Sequence, residues 1–304
     1  MRRLLWLSAA ALLAAGCSTA PGGGAATEDP PDPRPLGGVL DHTAAESAAL
    51  HRAEEREVRT CMAGRGFGYA EIPVSEARRT PTPSPYGLLT PGRAARNGYG
   101  LTVERLRQPP PDPNAPRLAA LTADDRRAWQ KALKGTPDGP HEKIALAGGP
   151  TLSVPTDSCV TLANRTLYGP TWDRDLFTVQ HLRNTIVKNT LARPSVKAAE
   201  HEWAACMRDK GFRYEDRRAP LRALSRKLAE AGTDPAALRA TGREELRIAA
   251  QDAACQTATH LAARIEDAQR ATEKALPPSR TAALPALRTA LARATAHSTA
   301  RPRT

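Results

Sequence analysis

The sequence predicts a mainly α-helical protein of two helical lobes, each held by one disulfide, with long Pro/Gly-rich loops. Three observations support this class. Apolar residues recur at helical spacing, no segment shows a convincing strand-like alternation, and a cysteine-centred unit occurs at both 58–69 and 203–214. A unit that recurs in sequence indicates a repeated unit of structure.

Both copies of the unit read Cys-Met-x-x-x-Gly-Phe-x-Tyr. A glycine at this position is typical of the left-handed residue that ends a helix. We therefore predict that each copy closes a helix and that its aromatic residues pack over the helix end, although aromatics lining a ligand cleft are the alternative. The predicted repeat core comprises Met62, Phe67, Tyr69, Met207, Phe212 and Tyr214.

The N-terminus predicts an exported protein. Arg2 and Arg3 precede an apolar run at 4–15 that is too short to span a bilayer as a mature helix. The run ends in Leu-Ala-Ala-Gly-Cys, which resembles the lipobox of bacterial lipoproteins. The resemblance implies cleavage before Cys17 and a lipid on its thiol, whereas an ordinary secretory signal would leave a soluble secreted protein.

The predicted organisation begins with a lipoprotein signal peptide at 1–16 and a disordered, lipid-anchored tether at 17–41. The first helical unit, 42–170, carries a long loop insertion, and the second unit covers 171–276. A basic, partly helical C-terminal tail completes the chain at 277–304.

Local signals place helices in the first unit. Thr43-Ala-Ala-Glu46 is a capping box for the helix that reaches Cys61. A second helix is predicted from Thr122 to the glycine at 135. Residues 136–156 are predicted to be irregular, and Asp157 is predicted to cap a helix over 158–168.

The second unit is predicted to be a series of helices. One covers 176–192, and the next, capped by Ser195, leads to Cys206. Short helices follow at 221–231 and 235–240. The apolar spacing then predicts one long helix over 243–276, whose packing seam consists of Ala254, Ala258, Leu261, Ile265 and Ala268.

With Cys17 assigned to lipid, four cysteines remain in an oxidising compartment. Four cysteines allow three pairings. The repeat favours Cys61–Cys159 and Cys206–Cys255, because duplicated units normally keep their internal contacts.

Further motifs extend the first copy of the repeat. They are Gly-Tyr-Gly-Leu at 98–101, the helix at 121–133, and Leu-Tyr-Gly at 167–169 after Cys159. Together they resemble a group of secreted actinomycete lipoproteins of unknown function that carry the Cys-Met-x3-Gly-Phe-x-Tyr unit. The resemblance covers about 57–169. It implies a compartment and a disulfide, and no activity.

The sequence offers no convincing catalytic constellation. His201-Glu202 followed by Cys206 invites comparison with the zinc motif His-Glu-x-x-His, but the cysteine lies one residue too far along and is expected in a disulfide. There is no Gly-x-Ser-x-Gly elbow, no phosphate-binding glycine loop before a helix and no Cys-x-x-Cys. We therefore expect no catalytic residues, metal or cofactor.

The chain carries a formal net charge of +12. Outside the cell, the anionic neighbours are lipid head groups and phosphate-bearing wall polymers rather than nucleic acid, although an Arg-rich solvated surface explains the charge as well.

We expect a lipid-anchored, non-enzymatic lipoprotein of the extracellular face of the cytoplasmic membrane. Its partner is expected to be a protein or an anionic wall polymer. An envelope hydrolase or cell-wall-modifying enzyme is the alternative, and a ligand-binding lipoprotein serving a transporter is a third.

Overall fold

The computed structural model describes residues 30–79, 82–107 and 110–300. The predicted signal peptide, Cys17 and the first part of the tether lie outside these residues, as do residues 301–304. Within them, no helix is both long enough and apolar enough to cross a bilayer.

The fold is mainly helical, as predicted, with a single small hairpin in the described residues. Its helices are α1 (Ala44–Gly64), α2 (Pro91–Asn97), α3 (Leu101–Leu106), α4 (Ala115–Ala120), α5 (Ala123–Lys134), α6 (Cys159–Tyr168), α7 (Trp172–Leu191), α8 (Pro194–Asp209), α9 (Ala219–Ala231), α10 (Pro235–Ala258), α11 (Leu261–Lys274), α12 (Pro278–Thr281) and α13 (Leu284–Ala300). The hairpin consists of β1 (His141–Ala145) and β2 (Thr151–Pro155). Short 3-10 helices lie at Pro35–Gly38 and Glu76–Arg79.

The two copies of the repeat form the same helix end. In the first, the N–H of Phe67 donates to the carbonyl of Met62 over 2.9 Å, and Gly66 has a φ of +80°. In the second, the N–H of Phe212 donates to the carbonyl of Met207 over 2.9 Å, and the intervening glycine has a φ of +86°. This is the bond pattern of a Schellman motif, in which only glycine avoids the steric cost of the left-handed conformation.

Both predicted disulfides are confirmed. Cys61–Cys159 joins the end of α1 to the first residue of α6, and Cys206–Cys255 joins α8 to α10. Each bridge lies next to a buried tryptophan, Trp129 in the first case and Trp203 in the second. The disulfides therefore close two separate apolar clusters, one for each copy of the repeat.

A further apolar core joins the two ends of the described chain. Leu50 of α1, Ile186 of α7 and Leu287 of α13 pack there and are each at most 3% exposed. The segment 277–304, expected as a basic, partly helical tail, contributes its helix α13 to this core. Leu36, expected in the disordered tether, is also buried in this cluster and follows Pro35 in the first 3-10 helix.

The segment 82–102, which includes α2, is held on α10 and α11 partly by buried polar side chains. Glu245 of α10, 2% exposed, accepts the backbone N–H groups of Leu101 and Thr102 at 2.8 Å each and so caps α3 from another helix. Gln256 accepts the N–H of Leu89 at 3.0 Å. Part of the predicted loop insertion of the first unit is thereby fixed to helices of the second.

Three predictions of local structure are wrong. The segment 136–156 contains the antiparallel β1–β2 hairpin, in which Ile144 pairs with Leu152 and is 2% exposed. The predicted helix 243–276 is two helices, because the chain breaks at His260, which has a φ of +50°. The predicted short helix 235–240 is the first part of α10.

Of three predicted caps, one is confirmed in full, one is shifted by a residue and one is wrong. Thr43 and Glu46 form the predicted capping box. Ser158, not Asp157, caps α6, since its side chain accepts the N–H of Thr161 at 3.0 Å. No side chain caps α8, and Ser195 lies inside that helix.

Candidate functional site

A large cleft in the described part of the chain lies between the segment 83–99, the C-terminal half of α7 and the residues 216–222 at the start of α9. Its volume is about 1070 Å³, just above the range of small-molecule sites, roughly 300–1000 Å³. The first residues of α8 complete one wall. The lining therefore combines the segment 83–99 with residues between 183 and 222, about a hundred positions further along the chain.

The lining of this cleft, which we call the basic cleft, is strongly cationic. Its two carboxylates are Glu200 and Asp216. Its seven cationic side chains are Arg93, Arg183, Lys188, Lys197, Arg217, Arg218 and Arg222. Such an excess of one sign, held between low-dielectric walls, concentrates ions of the opposite charge.

Four of the seven cations are engaged in ion pairs. Glu200 receives Lys197 at 2.7 Å and Arg217 at 3.2 Å, and Asp216 receives Arg222 at 2.9 Å. The fourth, the Arg183 guanidinium, lies 3.5 Å from a carboxylate outside the cleft. These pairs neutralise both carboxylates of the lining.

Three cations keep their charge uncompensated. Among the described residues, Arg93, Lys188 and Arg218 pair with no carboxylate. Lys188 and Arg218 are exposed, and Arg93 is half-buried. The pairing on Asp216 holds the pKa of that carboxyl below its usual range, chiefly through the hydrogen bond from Arg222. Asp216 therefore stays ionised and paired with Arg222. It does not neutralise Arg93, Lys188 or Arg218, which remain able to bind an anionic ligand.

Arg217 forms the buried part of the cationic lining. It is 8% exposed, and its guanidinium donates to the carbonyl of Tyr86 as well as to Glu200. Its Nε–H has no hydrogen-bond partner among the described residues. A buried donor without a partner is costly, so this group favours an additional acceptor.

The wall at 83–89 is fixed before any ligand arrives. The hydroxyl of Tyr86 donates to Gln269 over 2.9 Å, and burial raises the pKa of this phenol to about 12. Arg34 donates to the carbonyl of Pro83 over 2.9 Å. A wall held by several bonds loses little conformational freedom on binding, which favours affinity.

The buried carboxylate of Asp252 on α10 is structural and not part of the cleft. Asp252, 1% exposed, accepts Trp203 Nε1–H at 2.7 Å, the Tyr99 hydroxyl at 2.7 Å and Gln256 Nε2–H at 2.8 Å. Desolvation by burial raises the pKa of Asp252. Every one of these bonds holds neighbouring elements together or orients a side chain of the same helix.

The predicted repeat-core residues lie in the two disulfide clusters. Met62 and Met207 are fully buried. Tyr69 stacks on Trp129 with ring centroids 6.0 Å apart, and Phe212 stacks on Tyr214 at 6.4 Å. None of these side chains lines the basic cleft, so the motif builds the fold.

The zinc-like motif does not form a metal site. Cys206 is in a disulfide, and His201 is exposed on α8. Within the described residues, no group of three or more His, Cys, Asp or Glu side chains is placed to hold a metal ion.

Sequence reasoning did not identify the basic cleft. Its unpaired cations come from α2, α7 and the residue before α9, and no local motif connects them. The single signal in the sequence is the positive net charge.

No protein-family model, curated protein or solved structure matches this chain. The site therefore has to be interpreted from its own geometry.

Proposed function

We propose that this protein is a non-enzymatic, lipid-anchored component of the cell envelope that binds an anionic envelope molecule in the basic cleft. The lipid on Cys17 holds it at the extracellular face of the cytoplasmic membrane. The lipobox-like Leu-Ala-Ala-Gly-Cys at 13–17 supports the anchor. The cationic lining supports the ligand class.

The observation that carries the proposal is the set of cations without carboxylate partners in the described chain. Arg93, Lys188 and Arg218 come from three different elements and line one cleft. Side chains of one charge repel each other, so three of them in one cleft favour a counter-charge from a ligand. Phosphate groups are the abundant anions of the envelope, both on lipids and on wall polymers.

Binding is favoured over hydrolysis by the state of the two carboxylates. Glu200 and Asp216 each accept from arginine side chains, and the described lining residues include no histidine. A general base needs a raised pKa to work near neutral pH, whereas the pKa of Asp216 is lowered. The described lining offers charge and no acid–base pair.

Reversing two charges tests the binding site. We expect the double variant Lys188→Glu with Arg218→Glu to weaken binding of inorganic polyphosphate by about tenfold or more, since repulsion replaces attraction at two exposed positions. The measurement is the dissociation constant over a series of salt concentrations. For the unmodified protein, affinity should fall steeply with salt because ions screen exposed charges.

The matched control reverses two exposed arginines of α10, Arg239 and Arg243, which do not line the cleft. It makes the same change in net charge and should retain most of the affinity. Equal losses in the two double variants would show that binding depends on net charge alone and would overturn the proposed site.

The anchor is tested separately at Cys17. Cells supplied with an alkyne-labelled fatty acid should label the unmodified chain, whereas the Cys17→Ala variant should carry no label and should leave the membrane fraction. The labelled peptide, isolated after proteolysis, should begin at residue 17. Unlabelled unmodified protein, or release of both forms into the medium, would contradict lipid anchoring and indicate a secreted protein.

A further inference from the structure

The basic cleft also has an apolar wall. Leu88, Val187, Leu191 and Leu221 line it, and each of these side chains is only half-buried. Leu88, Val187 and Leu191 pack against the apolar cluster formed by α8 and α11, so their inner sides are covered while the cleft side stays open. Part-exposed aliphatic side chains gathered in a concave site favour a ligand with apolar surface.

The apolar and cationic parts of the cleft are adjacent on α7. Val187 and Leu191 are four residues apart and therefore lie on one face of this helix. Lys188 follows Val187 directly, on the side of the helix that is exposed. Arg218 and Leu221 repeat the pairing at the start of α9. A cation thus stands beside an aliphatic side chain on two separate walls.

Among its described lining residues, the cleft has few free hydrogen-bond acceptors for the amide and hydroxyl groups of a peptide or a sugar. Its hydroxyls on Tyr86 and Tyr99 donate to Gln269 and Asp252. The carbonyl of Tyr86 already accepts from Arg217. Among the described lining residues, the neutral polar side chains that remain are Ser84 and Asn184. The N–H and O–H donors of a peptide or a sugar would therefore be buried largely without acceptors, at a cost for each.

We propose that the ligand of the basic cleft is a monomeric anionic lipid with a phosphate head and an aliphatic chain. The phosphate lies against the unpaired cations, and the chain lies along the wall formed by Leu88, Val187, Leu191 and Leu221. The volume of about 1070 Å³ is large enough for a chain-bearing molecule. This inference rests on the proposed function and specifies its ligand.

The test compares three probes by titration calorimetry on the oxidised chain from Ser18 onward. Every described helix, both disulfides and the whole cleft lie within 30–300, so this chain keeps every described contact. The probes are a lysophosphatidic acid below its critical micelle concentration, glycerol 3-phosphate, which is its head alone, and the zwitterionic lysophosphatidylcholine with the same chain.

We expect lysophosphatidic acid to bind about thirtyfold more tightly than glycerol 3-phosphate, or better, because each buried methylene adds to the affinity. It should also bind about tenfold more tightly than lysophosphatidylcholine, whose head carries no net charge. In the Leu221→Ser variant, the ratio of the first two affinities should fall about fivefold or more. Leu246→Ser, at an exposed leucine outside the cleft, is the matched control and should leave that ratio unchanged.

The outcomes separate this inference from the proposed function. If lysophosphatidic acid and glycerol 3-phosphate bind equally, and the Lys188→Glu and Arg218→Glu changes weaken both, the ligand is not a lipid. The proposed anion-binding site would still be supported. If the two lysolipids bind equally, the cleft does not select an anionic head group, and the proposed ligand is wrong. If neither these probes nor polyphosphate bind a protein whose circular dichroism shows it folded, both proposals fail.

Discussion

Replacing Cys206 and Cys255 together by alanine is expected to lower the free energy of unfolding by about 4 kcal/mol. The bridge joins residues 49 apart, so it restricts a long loop of the unfolded chain. Cys255 is fully buried beside Trp203, and its loss also removes packing from that cluster. Urea unfolding followed by circular dichroism measures the change as a shift of the midpoint.

The first disulfide supplies the matched comparison. Cys61 and Cys159 are 98 residues apart, and the same chain-entropy argument gives a loss of about 5 kcal/mol for the alanine pair. Hydrogen exchange should locate the effects differently, with faster exchange in α6 for this pair and in α10 for the other. A loss below about 1 kcal/mol in either pair would show that the bridge adds little to a core that is already sufficient.

The features that the sequence predicts correctly are those encoded within a few neighbouring residues. Thr43 and Glu46 form the capping box because each satisfies a backbone group of the same turn. Gly66 ends α1 because its conformation is left-handed, whatever packs around it. The cysteine pairing is also predicted correctly, because each copy of the repeat pairs with the next cysteine along the chain.

The errors occur where distant residues decide the conformation. The break at His260 has no glycine or proline to mark it, and the chain turns there so that α11 can bury Leu261 and Ile265. Upstream of the break, the predicted seam fails. The alanines at 254 and 258 are exposed, while α10 buries a different face that carries the polar side chains of Asp252 and Gln256. Apolar spacing alone does not reveal a face that is buried through hydrogen bonds.

Neither the hairpin nor the basic cleft could be predicted from the sequence, because the spacing of residues along the chain indicates neither. In β1, Ile144 is the one buried residue, so the strand has too little alternation to be recognised. The cleft depends on Arg93, Lys188 and Arg218 meeting across three elements. Nothing in the spacing of these cations brings them together. Arg93 reaches the other two because Gln256 and Glu245 of α10 hold the segment 82–102 in place.

Replacing Asp252 by alanine is expected to lower the free energy of unfolding at neutral pH by about 3 to 5 kcal/mol. The change leaves the Trp203 Nε1–H, the Tyr99 hydroxyl and the Gln256 amide without their acceptor in a buried site. Each unsatisfied donor costs about 1–3 kcal/mol. The loss also frees one attachment of the segment that forms a wall of the cleft, so weaker polyphosphate binding should accompany it.

Asparagine at the same position separates the charge of Asp252 from its hydrogen bonds. The Asp252→Asn variant keeps one acceptor oxygen, so its loss of stability should be only about 1 kcal/mol. Burial raises the pKa of Asp252 in the folded protein above its unfolded value. The folded state therefore binds the proton more tightly, and this group's contribution to stability is present below about pH 4 and is lost as pH rises through the raised folded pKa.

The pH dependence of the free energy of unfolding should therefore differ between the two proteins in a defined direction. From about pH 4 upward, the difference in stability between the unmodified protein and Asp252→Asn should narrow, because only the aspartate has a charge to desolvate. Urea unfolding at a series of pH values measures it. If the difference in free energy of unfolding between the two proteins widens with rising pH, the prediction is wrong. The three donors would then stabilise the ionised Asp252 by more than burial destabilises it.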